Sequence, residues 1–307
     1  MGVAIQEMQH LNMVSNVLLA LGGTPNLISQ DFPYDTDIYP FPLNLQRLTR
    51  QSVAKYVYTE APAGAVTPTP GVSDPFLDAL YAALGKLRPN HLGSVYGAII
   101  SLMEQVIKAP PFALPDMTGH VRNLESIKTQ GEGPHFEFFK SLFMATHSVF
   151  QNNPGVWDLP PNDPNYPSLP VPENPSVLQR DPSTVKDKVS FSMERLANFH
   201  YWAILQLLNL SYRTGRADYM GLAKNHMTGP LFDLGKVLAS RGNGVPFDVP
   251  DLGWNTGLNE AASVRILVQL LTEAETITDS LRTDLPSDFS FDSIPASIQQ
   301  LKNLGVV

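Results

Sequence analysis

Cysteine is absent from this 307-residue sequence. Its absence excludes disulfides, thiolate zinc sites, iron–sulfur clusters and a cysteine nucleophile, and fits a reducing compartment. Charged residues are sparse at 16% and tilted acidic, with a net charge of −8. The basic face that nucleic-acid binding requires is therefore missing. No apolar run reaches the ~18 residues expected of a spanning helix, and no charged-then-apolar leader opens the chain. These absences predict a cytoplasmic protein with neither a membrane nor a nucleic-acid partner. A glycine-rich phosphate loop, a G-x-S-x-G elbow, a βαβ alternation, an internal repeat and a clear strand pair are also lacking.

What the chain does have is punctuation, with 27 prolines and 21 glycines, a pattern of helices joined by long irregular connections. Ile5, Met8, Leu11, Val14 and Leu18 recur at helical spacing before Gly22-Gly23 stops the run. Further helices are expected over residues 48–58, 76–87, 92–107, 120–130, 135–150, 184–212, 218–239 and 260–281. Thr24 to Leu45, with Pro25, Pro33, Pro40 and Pro42, reads as an extended segment over a helical surface. Residues 151–182 are too rich in proline for any helix and read as a surface excursion. Residues 282–307 are mixed. The expected class is mainly α, in a single domain spanning 1–307.

The chemistry concentrates in two short motifs. Glu7-Met-Gln-His10 lies within the first helix, where residues three apart project about 60° from each other and both side chains can reach one metal ion. A carboxylate and an imidazole facing a bundle interior form the ligand unit of carboxylate-bridged di-metal proteins. Glu132-Gly-Pro-His135 repeats the spacing, here expected to straddle a break, with Gly131 and Gly133 turning the backbone and Pro134 opening the next helix. One such pair is weak on its own. Two pairs, Glu7 with His10 and Glu132 with His135, give a four-ligand set suited to iron, manganese or zinc. Glu137 is expected to face away. His91, His120, His147 and His226 have no partner at ligand spacing, and His200, six residues after Glu194, reads as a core or pocket histidine.

A resemblance adds to this. Ile5-Gln-Glu-Met-Gln-His-Leu11, Asn16 to Pro25, Tyr58-Thr-Glu60-Ala-Pro62, Gly93-Ser-Val-Tyr96, and Thr129-Gln-Gly-Glu-Gly133 with His135-Phe-Glu-Phe-Phe139 are similar to the ferritin-like domain of the iminophenyl-pyruvate dimer synthase family. That family is related to the violacein-pathway enzyme that couples two oxidised tryptophan units. The likeness covers about residues 1–250. It implies a ferritin-like helical bundle with long Pro-rich connections and a metal site at Glu7, His10, Glu132 and His135. The ion expected there is iron, as a di-metal or mononuclear centre, or manganese. The activity expected is a dioxygen- or peroxide-dependent oxidation of an amino-acid-derived aromatic molecule in secondary metabolism, packed by Phe136, Phe139 and Tyr201. Family members carry an additional N-terminal helix with a Glu, and Gln6-Glu7 stands where Glu-Glu is usual. The face left by that helix predicts a homodimer. The alternative is a non-catalytic helical assembly protein with a degraded metal site.

Overall fold

The computed structural model describes residues 2–27, 39, 41–62, 64–85, 92–110, 113–249 and 259–306. The predicted extended stretch from Thr24 to Leu45 falls largely outside them, as does His91. Among the described residues the chain is helical and has no strand, so the class is mainly α. Its contacts divide it into two compact units. One comprises Met1–Thr24, Tyr34–Leu43 and Arg47–Ser168, the other Pro25–Pro33, Asn44–Gln46 and Leu169–Val307.

The first unit holds α1 (Gly2–Ala20), α2 (Arg50–Glu60), α3 (Pro75–Leu84), α4 (Leu92–Lys108), α5 (Thr118–Gln130) and α6 (Phe136–Phe143). Local chemistry sets the starts. Thr49 and Ser52 form a reciprocal capping box for α2, and Asp74 caps α3 ahead of Pro75 in its first turn. α2 packs against α3 and α6, while α1 and α4 both pack against α5. Val53, Val57, Phe76, Leu80, Phe136 and Phe143 make one core, in which Phe76 meets Phe136 and Phe143 edge-on. Val17, Met103, Met117 and Leu124 make a second, smaller one.

No break separates α5 from α6. The expected interruption at residues 131–134 is instead a π-turn, Gly131–His135, with Gly131 in ordinary helical conformation at φ −63° and ψ −56°. The physical reason is Pro134. It has no N–H to donate, and its ring collides with the carbonyl four residues back in a regular helix. Widening one turn to the i→i+5 pattern removes the collision and lets the helix continue. Beyond Phe143 the predicted helix does end early, where Ala145 adopts a φ of 55°.

The Pro-rich excursion is ordered by a few side chains. In the first unit the Arg47 guanidinium donates to the Ser168 and Pro161 carbonyls and lies 4.6 Å from the Tyr166 ring centre. Trp157 donates its indole N–H to the Leu142 carbonyl. In the second unit the Asp248 carboxylate accepts from the Val177 and Leu178 amides and from Asn198.

The second unit holds α7 (Lys188–Thr214), α8 (Ala217–His226), α9 (Phe232–Ser240), α10 (Glu260–Ser280) and α11 (Ser293–Asn303). α7 is its central element, packed by α8, α9 and α10. The mixed tail folds into this core, because Leu285, Phe289, Ile294, Ile298 and Leu301 are all buried. A second π-turn, Met227–Leu231, joins α8 to α9 around Pro230. Its sequence neighbourhood echoes the first. Lys128, Gly133, Pro134, Phe136, Lys140 and Leu142 recur at constant offset as Lys224, Gly229, Pro230, Phe232, Lys236 and Leu238. The recurrence is masked in the sequence by divergence of the intervening residues and becomes visible once the two α–π–α elements are aligned.

Candidate metal centre

α1 delivers Glu7 and His10 to one face, and the π-turn delivers His135 as its last residue. One ligand atom from each of Glu7, His10 and His135 lies within 4.8 Å of the others. The Glu7 carboxylate spans the two rings. Its Oε2 is 3.2 Å from His10 Nδ1 and its Oε1 is 2.8 Å from His135 Nδ1. Both imidazoles are buried, whereas the Glu7 side chain is 47% exposed, so the cluster is reachable from the α1 side.

Two glutamines fix the chemistry of the rings. His10 Nε2 meets Gln130 Oε1 at 2.8 Å, and His135 Nε2 meets Gln6 Oε1 at 2.9 Å. An amide oxygen only accepts, so each Nε2 is the donor toward its glutamine. Both Nδ1 atoms are thereby turned toward the Glu7 carboxylate, and His10 donates to it from Nδ1 when doubly protonated. A cation bound there would take the place of the proton between Nδ1 and the carboxylate. His135 Nδ1 lies 2.8 Å from Glu7 Oε1 and has no other partner among the described residues closer than Glu60 Oε2 at 3.9 Å. Orientation of a metal-binding imidazole through its other nitrogen is the usual outer-shell arrangement at metal sites.

Sequence reading missed a fourth member. Glu60 ends α2, is buried, and places Oε2 3.9 Å from His135 Nδ1, with no hydrogen bond to that oxygen among the described residues. Burial, and then the neighbouring charge of Glu7, push the Glu60 carboxyl up to about 7 against a partial counter-effect from His10. Glu7 goes the other way. Burial pushes it up, but the hydrogen bond from His10 and the charges of both imidazoles outweigh that and hold it below the ordinary carboxylate value. His10 is raised because its bonds to Glu7 and Gln130 overcome burial. His135 is lowered by burial. Tyr39 and Tyr96 sit in the same field, and burial together with Glu7 and Glu60 pushes the Tyr96 phenol up to about 12. A signal for Glu60 existed: it is the sole carboxylate of α2 and follows buried Val53 and Val57 on their stripe.

Glu132 stands apart from this cluster. Its Oε2 is 2.6 Å from Lys128 Nζ, and its Oε1 lies against the Cα of Gly93 on α4. The break expected to bring Glu132 and His135 together is a π-turn instead, and in it Glu132 is paired with Lys128. The other candidates are used elsewhere. Glu137 is exposed, as expected. Glu194 is buried and paired with Arg180. Phe139 stacks on Tyr56, and Tyr201 packs edge-on against Phe247 in the second unit. His200, read as a core or pocket histidine, shares a hydrogen bond of 2.9 Å between Nδ1 atoms with His226, for which local spacing offers no partner, in the core of that unit.

No helix among the described residues is long and apolar enough to cross a membrane. Among curated proteins and among solved structures nothing matches the chain. The described residues are mainly helical, and residues 1–142, which carry Glu7, His10, Glu60, Glu132 and His135, match the family model described as ferritin-like, so this part of the chain is a ferritin-like helical bundle.

Proposed function

We propose that the protein binds a redox-active metal, iron or manganese, between Glu7, His10, Glu60 and His135, and uses it to oxidise an amino-acid-derived aromatic small molecule. The observation that carries the metal reading is the convergence of two Nδ1 atoms on the two oxygens of one carboxylate. Two imidazoles and two carboxylates form an N/O set of the kind those cations prefer. Bound there, the ion supplies the one-electron and dioxygen chemistry that amino-acid side chains lack. The chain's own part is to hold the ligands in place. Gln6 and Gln130 orient the rings, burial of His10, His135 and Glu60 keeps competing water out, and half-exposed Glu7 marks the open side from which a small molecule arrives. Membership in the iminophenyl-pyruvate dimer synthase family, with its aromatic substrates and secondary-metabolic setting, is supported by the motif residues at 5–25 and 129–139.

The test is elemental analysis of protein prepared without a His-tag, comparing wild type with His10→Ala and His135→Ala. Stoichiometric iron or manganese that disappears in both variants is the expected result. Wild-type protein that holds no metal after reconstitution sinks the reading.

A second reading has its own observation. Leu11, Val14 and Leu18 lie at helical spacing on α1 and are 46%, 37% and 37% exposed. An apolar stripe of this kind suits self-association, either as the homodimer of an enzyme or as the whole role of a non-catalytic assembly protein. Sedimentation of wild type against Leu11→Glu checks it, with a concentration-dependent dimer expected only in wild type.

A further inference from the structure

We infer that the second unit carries a binding site for a free α-amino acid, whose ammonium and carboxylate groups are taken by Glu194 and Arg180. The site is a cavity of about 510 Å³ lined by residues 179–187, the start of α7 and Asn243. Glu194 lines it although its side chain is only 1% exposed, so the cavity is where that carboxylate meets solvent. Arg180 donates to one oxygen of Glu194, Oε2, and no hydrogen bond reaches Oε1 among the described residues. The guanidinium is fixed on two further sides. Its Nε donates to the Ser176 carbonyl, and its carbon lies 5.0 Å from the Phe191 ring centre. Nη1 is left without a hydrogen bond among the described residues, on a side chain 37% exposed.

A preset guanidinium edge therefore stands beside an unsatisfied carboxylate oxygen. Adjacent donor and acceptor of opposite charge are the complement of the ammonium and carboxylate that share one carbon in an α-amino acid. A bare anion at Arg180 would meet the charge of Glu194, and a bare cation at Glu194 that of Arg180. A ligand carrying both charges suits both residues. The rest of the lining agrees. Asp187 is already bonded to Ser190 and Arg241, which offsets its charge. Lys186 and Asp181 add one exposed charge of each sign. Burial pushes the Glu194 carboxyl above its ordinary value despite the opposing pull of Arg180, so a second cation at Oε1 relieves a charge that one partner compensates only in part. Phe191 and partly buried Val185 supply the apolar part of the lining for the ligand's own side chain.

Isothermal calorimetry on the full chain with L-alanine, acetate and methylammonium tests this. Wild type is expected to bind alanine at least about tenfold more tightly than either single-charge probe. Glu194→Gln should weaken alanine by a similar factor and tighten acetate, because Arg180 is then no longer neutralised. Gln179→Trp, a change at an exposed lining position, should block alanine while leaving the Arg180–Glu194 pair in place. Circular dichroism confirms the fold of each variant. Wild type that takes acetate or methylammonium as tightly as alanine overturns the inference, and so does wild type that binds none of the three. Alanine binding that survives either substitution also overturns it; should Glu194→Gln not fold, Gln179→Trp decides alone. The metal reading is independent of each of these outcomes.

Discussion

Glu60 illustrates what a single carboxylate costs when it is buried beside another. One of its oxygens has no hydrogen bond, and Glu7 repels its charge. Without a cation the residue therefore opposes folding, and with one it becomes a ligand. Glu60→Gln should raise the melting temperature of metal-free protein by a few degrees, as expected for relieving an unpaired buried charge. The same change should weaken metal binding at least tenfold. Calorimetry with and without added Mn(II) separates the two effects, and a variant that loses stability in both states contradicts the assignment. At this scale the sequence was partly legible. Glu7, His10 and His135 could be read because they sit in motifs with ligand spacing. Glu60 gave a weaker signal, a lone acid on the apolar stripe of α2 with no local partner at ligand spacing. Glu132 was visible in its motif, but its pairing with Lys128 was not, because the expected break at Gly131 to Pro134 is a continuous π-turn.

Among elements, the π-turn at Gly131–His135 decides where the second imidazole points. Pro134→Ala removes the reason for the wide turn and should let the segment relax toward a regular helix. Helical content is then kept, local stability rises by up to about 3 kcal/mol, and His135 rotates off the centre. The expected signature is metal affinity lowered at least tenfold with an unchanged or higher melting temperature. Pro230→Ala should stabilise similarly and leave metal binding untouched. Helix positions were read well from apolar spacing, within a few residues at most ends. The turn was not, because Gly and Pro in sequence signal a break, and only packing on both sides makes continuation favourable. The Pro-rich excursion was equally opaque as to order, since its anchor, Arg47, lies more than a hundred residues earlier. Arg47→Ala should speed chymotryptic cleavage at Trp157 severalfold; unaltered cleavage would mean that Trp157 and its neighbours hold the segment unaided.

For the whole molecule, stability should depend on pH through a histidine pair in the second unit. His200 and His226 are fully buried and bonded to each other. Burial pulls His226 down to about 4, and burial with the charge of its neighbour pulls His200 well below its ordinary value. Both stay neutral in the folded chain, while the unfolded chain protonates them near 6.5. The unfolded state then binds more protons between those values, so stability is full above about pH 6.5 and declines as pH falls toward 4. His226 alone accounts for about 3 kcal/mol over that interval. Urea titrations from pH 7 to pH 4 measure the slope, which His226→Leu should flatten relative to wild type.

The two π-turns share their glycine, proline and flanking lysines but not their chemistry. Thr228 stands at the place of Glu132, Leu231 at that of His135, and His226 at that of Gln130. One bend in the helix is thus furnished with a carboxylate and an imidazole, and its counterpart with a hydroxyl and an aliphatic chain. The protein carries its own internal control, a site-shaped irregularity in which geometry has been kept and reactivity left out.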